Sequence, residues 1–407
     1  MSAESTPSPE SSRNIYVFGL TALFNDTATE MAYWVLPAFL ASIGAGPAQL
    51  GVIEGIAESV ASFVQLFSGY VADRIPRRKP IVVAGYFAAN AVKPLLALAT
   101  SWWQVLAIRF TDRFSKGVRG APRDVMVAES VPAERIGSAY GLIQAMDSAG
   151  AVLGPLAALW LLRYYGLRGV FWAAAVPGFL CFAIALIGIK ETRKQEVRKA
   201  KPTGDFTPVR SVAQPAKFSF ALPAAFYYVL FVVTLFSLGN SSDMFLILRA
   251  QSVGIGPSYA PLLGLVFNIM YTLFSWPAGH LSDRISRRGI AAAGYLVFAG
   301  VYFAFGLAPT HLVIWIAMAT YGLFYALTNP VLKALVVETV TPDFRGRALG
   351  VYAFVTSVAM LLSSLLTGEL WKHYGPRVPF YLSAGIAAVA ALLLIGSAWL
   401  RSPANQK

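Results

Sequence analysis

The sequence predicts an all-α membrane protein, with twelve transmembrane helices in two six-helix bundles related by a pseudo-twofold axis. Composition is the first observation, because 57% of the 407 residues are hydrophobic and only 13% are charged, whereas soluble domains contain about 25% charged residues. Long apolar segments separated by short polar turns are the second observation. The third is a polar turn motif that returns at half the chain length. Together these observations favour a duplicated membrane bundle over a soluble domain.

The apolar segments are long enough to be counted as membrane spans, since about 20 mostly apolar residues cross the hydrocarbon core as a helix. The first segment follows a polar stretch and lacks a small-residue cleavage site, so we interpret it as a retained helix and not as a signal peptide. The twelve predicted spans lie at about residues 15–40, 48–71, 80–100, 102–126, 138–162, 169–189, 221–247, 259–281, 290–308, 311–335, 347–370 and 378–400.

The basic residues predict the orientation of the chain in the membrane. The formal net charge is +13, but Lys and Arg concentrate in the N-terminal tail, the turns after even-numbered spans and the C-terminal tail. The turns after odd-numbered spans hold few, namely Arg163, Arg168, Arg249, Lys372 and Arg377. The positive-inside rule therefore predicts that both termini are cytoplasmic. This distribution also argues against a nucleic-acid partner.

A tandem repeat divides the chain into two halves. The motif Gly69–Lys79 (GYVADRIPRRK) returns 210 positions later as Gly279–Gly289 (GHLSDRISRRG), and Glu129 has a counterpart in Glu338. Six spans separate the copies, so the halves keep the same orientation, and substrate sites in such proteins lie between the halves. The predicted division is a cytoplasmic tail at 1–13, a six-helix bundle at 14–189, a polar linker at 190–217, a second bundle at 218–400 and a tail at 401–407.

Ionisable residues inside the predicted spans are the main candidates for function. A charge at a helix centre costs roughly 2.5–3.5 kcal/mol on translocon scales, so such residues face a partner or a wet cavity. Carboxyl groups close together in a low dielectric can carry protons near neutral pH. The predicted proton-coupling or substrate-cavity residues are Asn25, Asp26, Glu30, Glu54, Glu58, Arg109, Asp112, Arg113, Asp147 and Asp243.

Several of these residues also have a structural interpretation. Asp112 can form a buried ion pair with Arg109 or Lys116 without taking part in transport, and Arg113 can pair with an acid of the first or second span. Glu54 and Glu58 are expected near the outer end of the second span, where water lowers the cost of their charge.

The repeated turns predict a gate on the cytoplasmic face. Asp73 can cap a helix and face the positive end of its dipole, and the arginines can pair with carboxylates such as Glu129. Fixing topology by positive charge is the alternative interpretation. The predicted gate residues are Gly69, Asp73, Arg74, Arg77, Arg78, Glu129, Gly279, Asp283, Arg284 and Glu338.

The fifth span carries a pattern of glycines. Gly141, Gly150 and Gly154 are expected on one small-residue face, followed by Pro155.

The sequence has no phosphate-binding Gly-Lys-Ser/Thr loop, which argues against an ATP-driven pump. One cysteine, Cys181, and three dispersed histidines offer no soft metal site, whereas carboxylate and Asn ligands around the first span could hold a hard or borderline cation. No cofactor and no enzymatic nucleophile–base set is predicted.

These motifs resemble the major facilitator superfamily. The two Gly-x-x-x-Asp-Arg-x-x-Arg-Arg turns are similar to the signature between helices 2 and 3 and between helices 8 and 9 of that family. Arg113 and the glycines after it resemble the helix 4 signature, and the glycines of the fifth span with Pro155 resemble the helix 5 signature associated with antiporters. The chain is most similar to a prokaryotic subgroup that resembles drug/H⁺ antiporters.

The resemblance implies a secondary transporter that works by alternating access, as a monomer in the inner membrane. The function predicted first is proton-coupled efflux of a small organic compound. Proton-coupled uptake and export of a divalent metal cation remain open as alternatives, because a shared fold does not identify the substrate or the direction.

Overall fold

A computed structural model describes residues 9–75, 77–131, 136–192, 222–340 and 345–396. These residues are helical apart from short connections, and no strand occurs among them. Two short 3₁₀ segments, Lys93–Leu98 and Pro257–Tyr259, accompany the α-helices. The α-helices are α1 (Pro9–Tyr33), α2 (Leu36–Ser42), α3 (Pro47–Arg74), α4 (Lys79–Val92), α5 (Trp102–Glu129), α6 (Ile136–Ala173), α7 (Ala175–Gly188), α8 (Ala224–Gly239), α9 (Met244–Ser252), α10 (Ala260–Arg284), α11 (Arg287–Leu307), α12 (His311–Glu338), α13 (Arg345–Tyr374) and α14 (Val378–Gly396).

Within the described ranges, fourteen α-helices form the twelve predicted spans. Helices α1 and α2 make the first span, α8 and α9 make the seventh, and α4 continues through the first 3₁₀ segment, where Pro94 lacks the amide hydrogen that a regular helix requires. Helix α6 contains the whole of the predicted fifth span and the start of the sixth. The chain reverses between them at Gly166, whose φ of 65° is a left-handed conformation that favours glycine.

Eight helical segments among the described residues are long and apolar enough to cross a membrane by length and composition alone, and one of them, Ala139–Gly188, contains two spans. The spans formed by α1 with α2, by α3 and by α5 are not among these eight. These same three spans carry most of the ionisable residues that the sequence analysis selected. Their lower hydropathy therefore reflects charges that require partners inside the protein.

Two spans are interrupted at corresponding positions of the repeat. Helix α1 ends at Tyr33 and α2 begins at Leu36, next to Pro37, which cannot donate a hydrogen bond to the preceding turn. Helix α8 ends at Gly239, and α9 begins only after the polar segment 240–243. Trp34 and Asp243 are 209 positions apart, close to the offset of the repeat. The sequence analysis treated both spans as single continuous helices, and the structure corrects this.

Among the described residues, four long helices make the most extensive contacts between the two halves. Helix α3 of the first half packs on α13 of the second, and α6 packs on α10. Within the halves, α1 packs on α6 and α3 on α5, while α11 packs on α14 and α10 on α12. The spans are therefore organised as two bundles joined along a pair of helix–helix seams.

One end of the molecule is closed by close contact between the halves. We call the end that carries the two repeated turns the motif end, and the opposite end the far end. A Cβ placed on Gly51 would lie 2.4 Å from the carbonyl oxygen of Ser364, and one on Gly368 would lie 2.7 Å from that of Pro47. Because glycine alone permits this approach, α3 and α13 meet backbone to backbone near the far end.

A cavity of about 690 Å³ lies between the halves on the side of the motif end. It is formed by the motif-end part of α6 and the facing part of α10, with Asn329 of α12. Its polar lining comes from Gln144, Ser148, Tyr271, Thr272, Ser275 and Asn329. The two bundles are thus in contact at the far end and separated by this cavity toward the motif end.

The predicted polar linker at 190–217 lies mostly outside the described residues, as do both predicted tails apart from residues 9–13. Its first residues are described, and Glu191 accepts hydrogen bonds from the backbone amides of Arg78 at 2.8 Å and Lys79 at 3.0 Å. A carboxylate at the start of a helix compensates the unpaired amides and the positive dipole end. The start of the linker therefore caps α4.

Candidate functional site

An ion pair between α3 and α5 lies at the centre of the first half. Arg109 donates to both carboxylate oxygens of Glu54, with nitrogen–oxygen distances of 2.7–2.9 Å. The Glu54 side chain is 0% exposed, so both charges are removed from solvent. The sequence analysis expected Glu54 near water at the outer end of its span, which is wrong. Its charge is accommodated by a guanidinium two helices later in the chain and not by solvent.

The pair belongs to a larger group that we call the charged cluster: Glu54, Glu58, Lys93, Arg109, Asp112 and Arg113. An Arg113 nitrogen lies 3.3 Å from Glu58. Asp112 lies 3.7 Å from Lys93 and 3.9 Å from both arginines. Three cations therefore face three carboxylates, and the cluster is electrically balanced as a whole.

The spacing of the residues in α3 and α5 explains this arrangement. Glu54 and Glu58 are four positions apart, as are Arg109 and Arg113, so each pair occupies one face of its helix. The two helices pack together and run in the same direction, which matches the first acid with the first arginine and the second with the second. The Asp112 carboxylate lies slightly closer to Lys93, at 3.7 Å, than to Arg109, at 3.9 Å. Among the described residues, Asp112 forms no ion pair with Lys116.

A chain of polar side chains links the charged cluster to α1. Lys93 donates to Asn90 at 2.9 Å, Asn90 donates to Asn25 at 3.3 Å, and Asn25 donates to Asp26 at 3.1 Å. Asn90 was not selected by the sequence analysis, although an Asn three positions before a Lys in an apolar span is a visible signal. The chain connects two of the predicted acids, Asp26 and Asp112, across three spans.

Asp243 of the second half lies among aromatic residues. Its carboxylate accepts hydrogen bonds from the hydroxyl groups of Tyr321 at 2.6 Å and Tyr325 at 3.1 Å. Among the described side chains, no Lys or Arg nitrogen lies within 4 Å of this carboxylate. Asp243 therefore differs from the acids of the charged cluster, because its partners are neutral.

Glu30 has a similar environment on the other side of the interface. Trp34 donates its indole N–H to Glu30 at 2.6 Å, and no ion pair to Glu30 occurs among the described residues. Trp34 packs directly against the second half, since a Cβ on Gly264 would lie 2.1 Å from its ring. Glu30 and Asp243 are thus carboxyl groups with neutral partners, one in each half, beside the two helix interruptions.

Aromatic rings fill the space between these two acids. Trp34 lies 6.2 Å from Phe267, Phe267 lies 5.1 Å from Tyr325, and Tyr271 lies 5.8 Å from Tyr325, measured between ring centroids. We call Trp34, Phe267, Tyr271, Tyr321 and Tyr325 the interface aromatic cluster. Tyr271 also lines the cavity, so the cluster extends from the cavity wall to both carboxyl groups.

A direct polar contact joins the charged cluster to the second half. The Ser242 hydroxyl donates to Glu54 at 3.4 Å, and Ser242 precedes Asp243 in the interruption between α8 and α9. The sequence analysis did not select Ser242, since a serine in an apolar span carries no signal of its own. The contact therefore joins the buried ion pair to the residue that precedes Asp243 in the chain.

At the motif end, the described ion pairs stay within each half. Arg78 bonds both oxygens of Glu129 at 2.8 Å, and Thr192 donates to Glu129 at 2.6 Å. Arg287 pairs with Glu338 in the second half. Arg77 is exposed. The side chains of six predicted gate residues lie outside the described part: Gly69, Asp73, Arg74, Gly279, Asp283 and Arg284.

The glycines of α6 do not share one face. A Cβ on Gly150 would lie 2.5 Å from the carbonyl oxygen of Leu23, and one on Gly154 would lie 2.7 Å from Cβ of Glu30, so both pack on α1. Gly141 has nothing within 4 Å. Nine helical positions rotate by about half a turn at 3.6 residues per turn, so the expectation for Gly141 is wrong. The helix continues through Pro155, and Asp147 is partly buried beside this seam.

Comparison with known proteins identifies the family. A model described as the Major Facilitator Superfamily matches residues 18–249 and again residues 229–407. The chain belongs to the major facilitator superfamily. The doubled match agrees with the internal repeat, and this family consists of membrane transporters.

Two relatives and one solved structure show how far the similarity extends. An uncharacterised MFS-type transporter of Methanocaldococcus jannaschii is 33% identical over 394 residues, which cover 95% of each chain. The multidrug resistance protein MdtG of Escherichia coli is 25% identical over 392 residues, covering 93% of each. The crystal structure of a D-xylose-proton symporter has a TM-score of 0.71 at 16% identity, covering 94% of this chain and 96% of that one. The last comparison supports the fold alone.

Proposed function

We propose that the protein exports a small organic compound in exchange for protons, by alternating access between its two halves. In this proposal it lies in the inner membrane as a monomer, and the motif end and both termini are cytoplasmic, as the positive-inside rule indicates. The cavity then opens toward the cytoplasm. Substrate and protons are its partners, and it requires no nucleic acid and no cofactor.

The observation that carries the proposal is the pair of helix interruptions. They fall at corresponding positions of the two repeats, next to Glu30 and Trp34 in one half and at Asp243 in the other. In transporters with internal repeats, interrupted membrane helices in matching positions mark the substrate and ion sites. Glu30 and Asp243 lack the cation that would hold a buried carboxyl group permanently ionised, so they are the proposed proton carriers.

The charged cluster has a different role in this proposal. Its three cations and three carboxylates neutralise one another, which makes a largely buried set of charges tolerable. We assign Glu54 and Arg109 to positioning, because their ion pair receives the Ser242 hydrogen bond from the second half. The ion pair then holds the second half against the first, through the Ser242 hydrogen bond, while the far end is closed. Asp26, Asp112 and Asp147 are further candidates for the proton route.

Export is proposed ahead of uptake because MdtG, at 25% identity, is named a multidrug resistance protein. A D-xylose-proton symporter shares the fold, so uptake remains the alternative. Divalent metal export is less supported, since the described residues contain no group of three or more His, Cys, Asp or Glu that could hold a metal ion. An enzymatic role has no support in a transporter family.

Transport in everted membrane vesicles tests the proposal. An imposed gradient, acidic inside, should drive a fluorescent organic substrate into vesicles that contain the protein, and collapsing the gradient should release it. Asp243→Asn and Glu30→Gln should each reduce this accumulation at least about tenfold, while Glu369→Gln, which alters an exposed acid, should not. Substrate accumulation that is independent of the pH gradient would contradict proton coupling. Movement of substrate out of the vesicles together with protons would favour uptake in the cell.

A further inference from the structure

We infer that Asp243 and the interface aromatic cluster form a subsite for an organic monocation with an apolar body. The inference rests on the proposed function and specifies its substrate class. Three features carry it. The first is a carboxylate without a described counter-cation, opposite a half whose clustered charges balance one another. The others are the aromatic rings around this carboxylate and an adjoining cavity of suitable size.

The first feature is the charge of Asp243. Its described partners are the two tyrosine hydroxyl groups. The arginine nearest to Asp243 in sequence is Arg249. It donates instead to the backbone carbonyls of Phe305 at 2.9 Å and Gly306 at 3.2 Å. Since the charged cluster is neutral as a whole, it supplies no spare cation either. A cationic ligand can therefore supply the positive charge that pairs with Asp243.

The second feature is the set of aromatic faces. Tyr325 is perpendicular to both Phe267 and Tyr271, at interplanar angles of 83° and 72°. The Tyr325 hydroxyl donates to the Asp243 carboxylate, so this ring lies beside the acid. A cation within about 6 Å of a ring centroid is attracted by the negative face of the ring. Arg109 already lies 5.6 Å from the Tyr33 ring in the first half, which shows this type of contact at the same interface.

The third feature is access. Asp243, Tyr271 and Tyr325 are each partly exposed, and Tyr271 lines the cavity of about 690 Å³. Ligand pockets for drug-sized molecules range from about 300 to 1,000 Å³. The side of this cavity formed by Ala145, Ala149, Val152, Ile269 and Leu273 is apolar. In the inferred subsite, an amphipathic cation places its charged group at Asp243 and its apolar body along α6 and α10, with Tyr271 between the acid and the cavity.

A small metal ion does not fit the same chemistry. Ca²⁺ takes six to eight oxygen ligands and Mg²⁺ requires near-octahedral oxygen coordination, whereas Asp243 and the side chains hydrogen-bonded to it offer one carboxylate and two phenols. Aromatic faces suit a large, weakly hydrated cation such as a quaternary ammonium or phosphonium group. The subsite therefore selects organic cations over both metal ions and neutral compounds.

Equilibrium binding to the full-length protein in lipid nanodiscs tests the inference. The probes are tetraphenylphosphonium and the neutral triphenylphosphine oxide. The cation should bind at least about tenfold more tightly than the neutral compound, and Asp243→Asn should weaken cation binding about tenfold. Equal binding of the two probes, or an unchanged affinity in Asp243→Asn, would overturn the inference.

The tyrosine provides a second, independent test. Tyr325→Phe keeps the ring and should retain cation affinity within about threefold, whereas Tyr325→Leu removes the ring and should lose about tenfold. Tyr164→Leu, which alters a tyrosine that is 62% exposed, and Glu369→Gln are the matched controls and should bind as the parent does. If Phe and Leu behave alike at position 325, the aromatic contribution is refuted. Size-exclusion profiles of each variant establish that it folds.

The outcomes separate this inference from the proposed function. Cation binding that depends on Asp243, without transport driven by a pH gradient, would retain the subsite and refute proton-coupled efflux. Proton-driven export of a neutral compound, with no preference for the cationic probe, would retain the proposed function and refute the subsite.

Discussion

The Glu54–Arg109 ion pair shows how a charge that opposes membrane insertion becomes part of a folded protein. Arginine suits this site because its planar guanidinium binds both carboxylate oxygens at once, and lysine cannot reproduce that geometry. The bond is worth less than its Coulomb energy, since both groups lose their hydration. Removing one partner is nevertheless severe, because the other charge remains buried alone.

We predict that Glu54→Gln destabilises the protein by about 3–5 kcal/mol, the range found when one member of a buried ion pair is removed. Thermal or denaturant unfolding in nanodiscs measures the change. The double variant Glu54→Gln/Arg109→Gln should recover part of the loss, because no unpaired charge remains. Glu369→Gln should change the free energy of unfolding by less than about 0.5 kcal/mol. A single variant as stable as the parent would show that water reaches Arg109.

At the same scale, residue types were predictable from the sequence and their partners only in part. Arg113 pairs with Glu58 of the second span and Arg78 with Glu129, as predicted. Glu54, Arg109 and Asp243 are recognisable as candidates because each places a charge inside an apolar span. The choice of partner depends on helix packing, which the sequence leaves open, so the Asp112–Lys93 contact and the Ser242 contact were missed. Glu54 was placed in water because span depth alone did not reveal the facing arginine.

The α1–α6 seam is the feature that matters most at the scale of elements. Gly150 and Gly154 allow α6 to approach the backbone of α1 at Leu23 and Thr27. Small residues at such positions permit the van der Waals contact that drives helix association in lipid. Because Glu30 lies on this face of α1, the same approach fixes the position of a proposed proton carrier.

We predict that Gly154→Ala destabilises the protein by about 1–3 kcal/mol, the usual cost of added volume in a packed site. The added methyl group would meet Cβ of Glu30 at 2.7 Å, so transport should fall as well. Gly141→Ala is the matched control on the same helix, and it should be neutral or stabilise by up to about 1 kcal/mol, because alanine favours a helix. Unfolding temperature and substrate accumulation measure both effects. Equal unfolding temperatures and equal substrate accumulation in the two variants would contradict the close packing of α6 on α1 at Gly154.

The helix boundaries were predictable where hydropathy changes and obscure where it does not. Most of the predicted span bounds agree with the observed helices to within a few residues. The interruption in the first span was missed because Trp34 and Val35 keep this segment apolar, although Pro37 is a helix breaker that the sequence shows. The polar run Asn240–Asp243 was visible, but a single polar run is also compatible with a continuous helix.

At the scale of the whole molecule, the repeat determined the architecture. Two copies of one turn, 210 residues apart, predicted two bundles of equal orientation, and the doubled family match agrees. The conformational state was not predictable, since any state of a rocking transporter uses the same sequence. The structure adds that state: a closed far end and a cavity toward the motif end.

Our central claim is that the two halves rock about the interface that contains Glu30 and Asp243. Two pairs of spin labels measure this motion directly, with labels at Ser148 and Thr272 beside the cavity and at Ser42 and Ser258 near the far end. The native Cys181 is 0% exposed, so it contributes little background labelling.

Electron–electron distance measurements on these pairs in nanodiscs, with and without a transported substrate and at low and high pH, give the decisive result. We predict that the cavity distance shortens whenever the far-end distance lengthens, and that Asp243→Asn abolishes the response to pH or substrate. Distances that stay constant at both ends, or that change in the same direction, in a protein that transports would contradict alternating access about this interface.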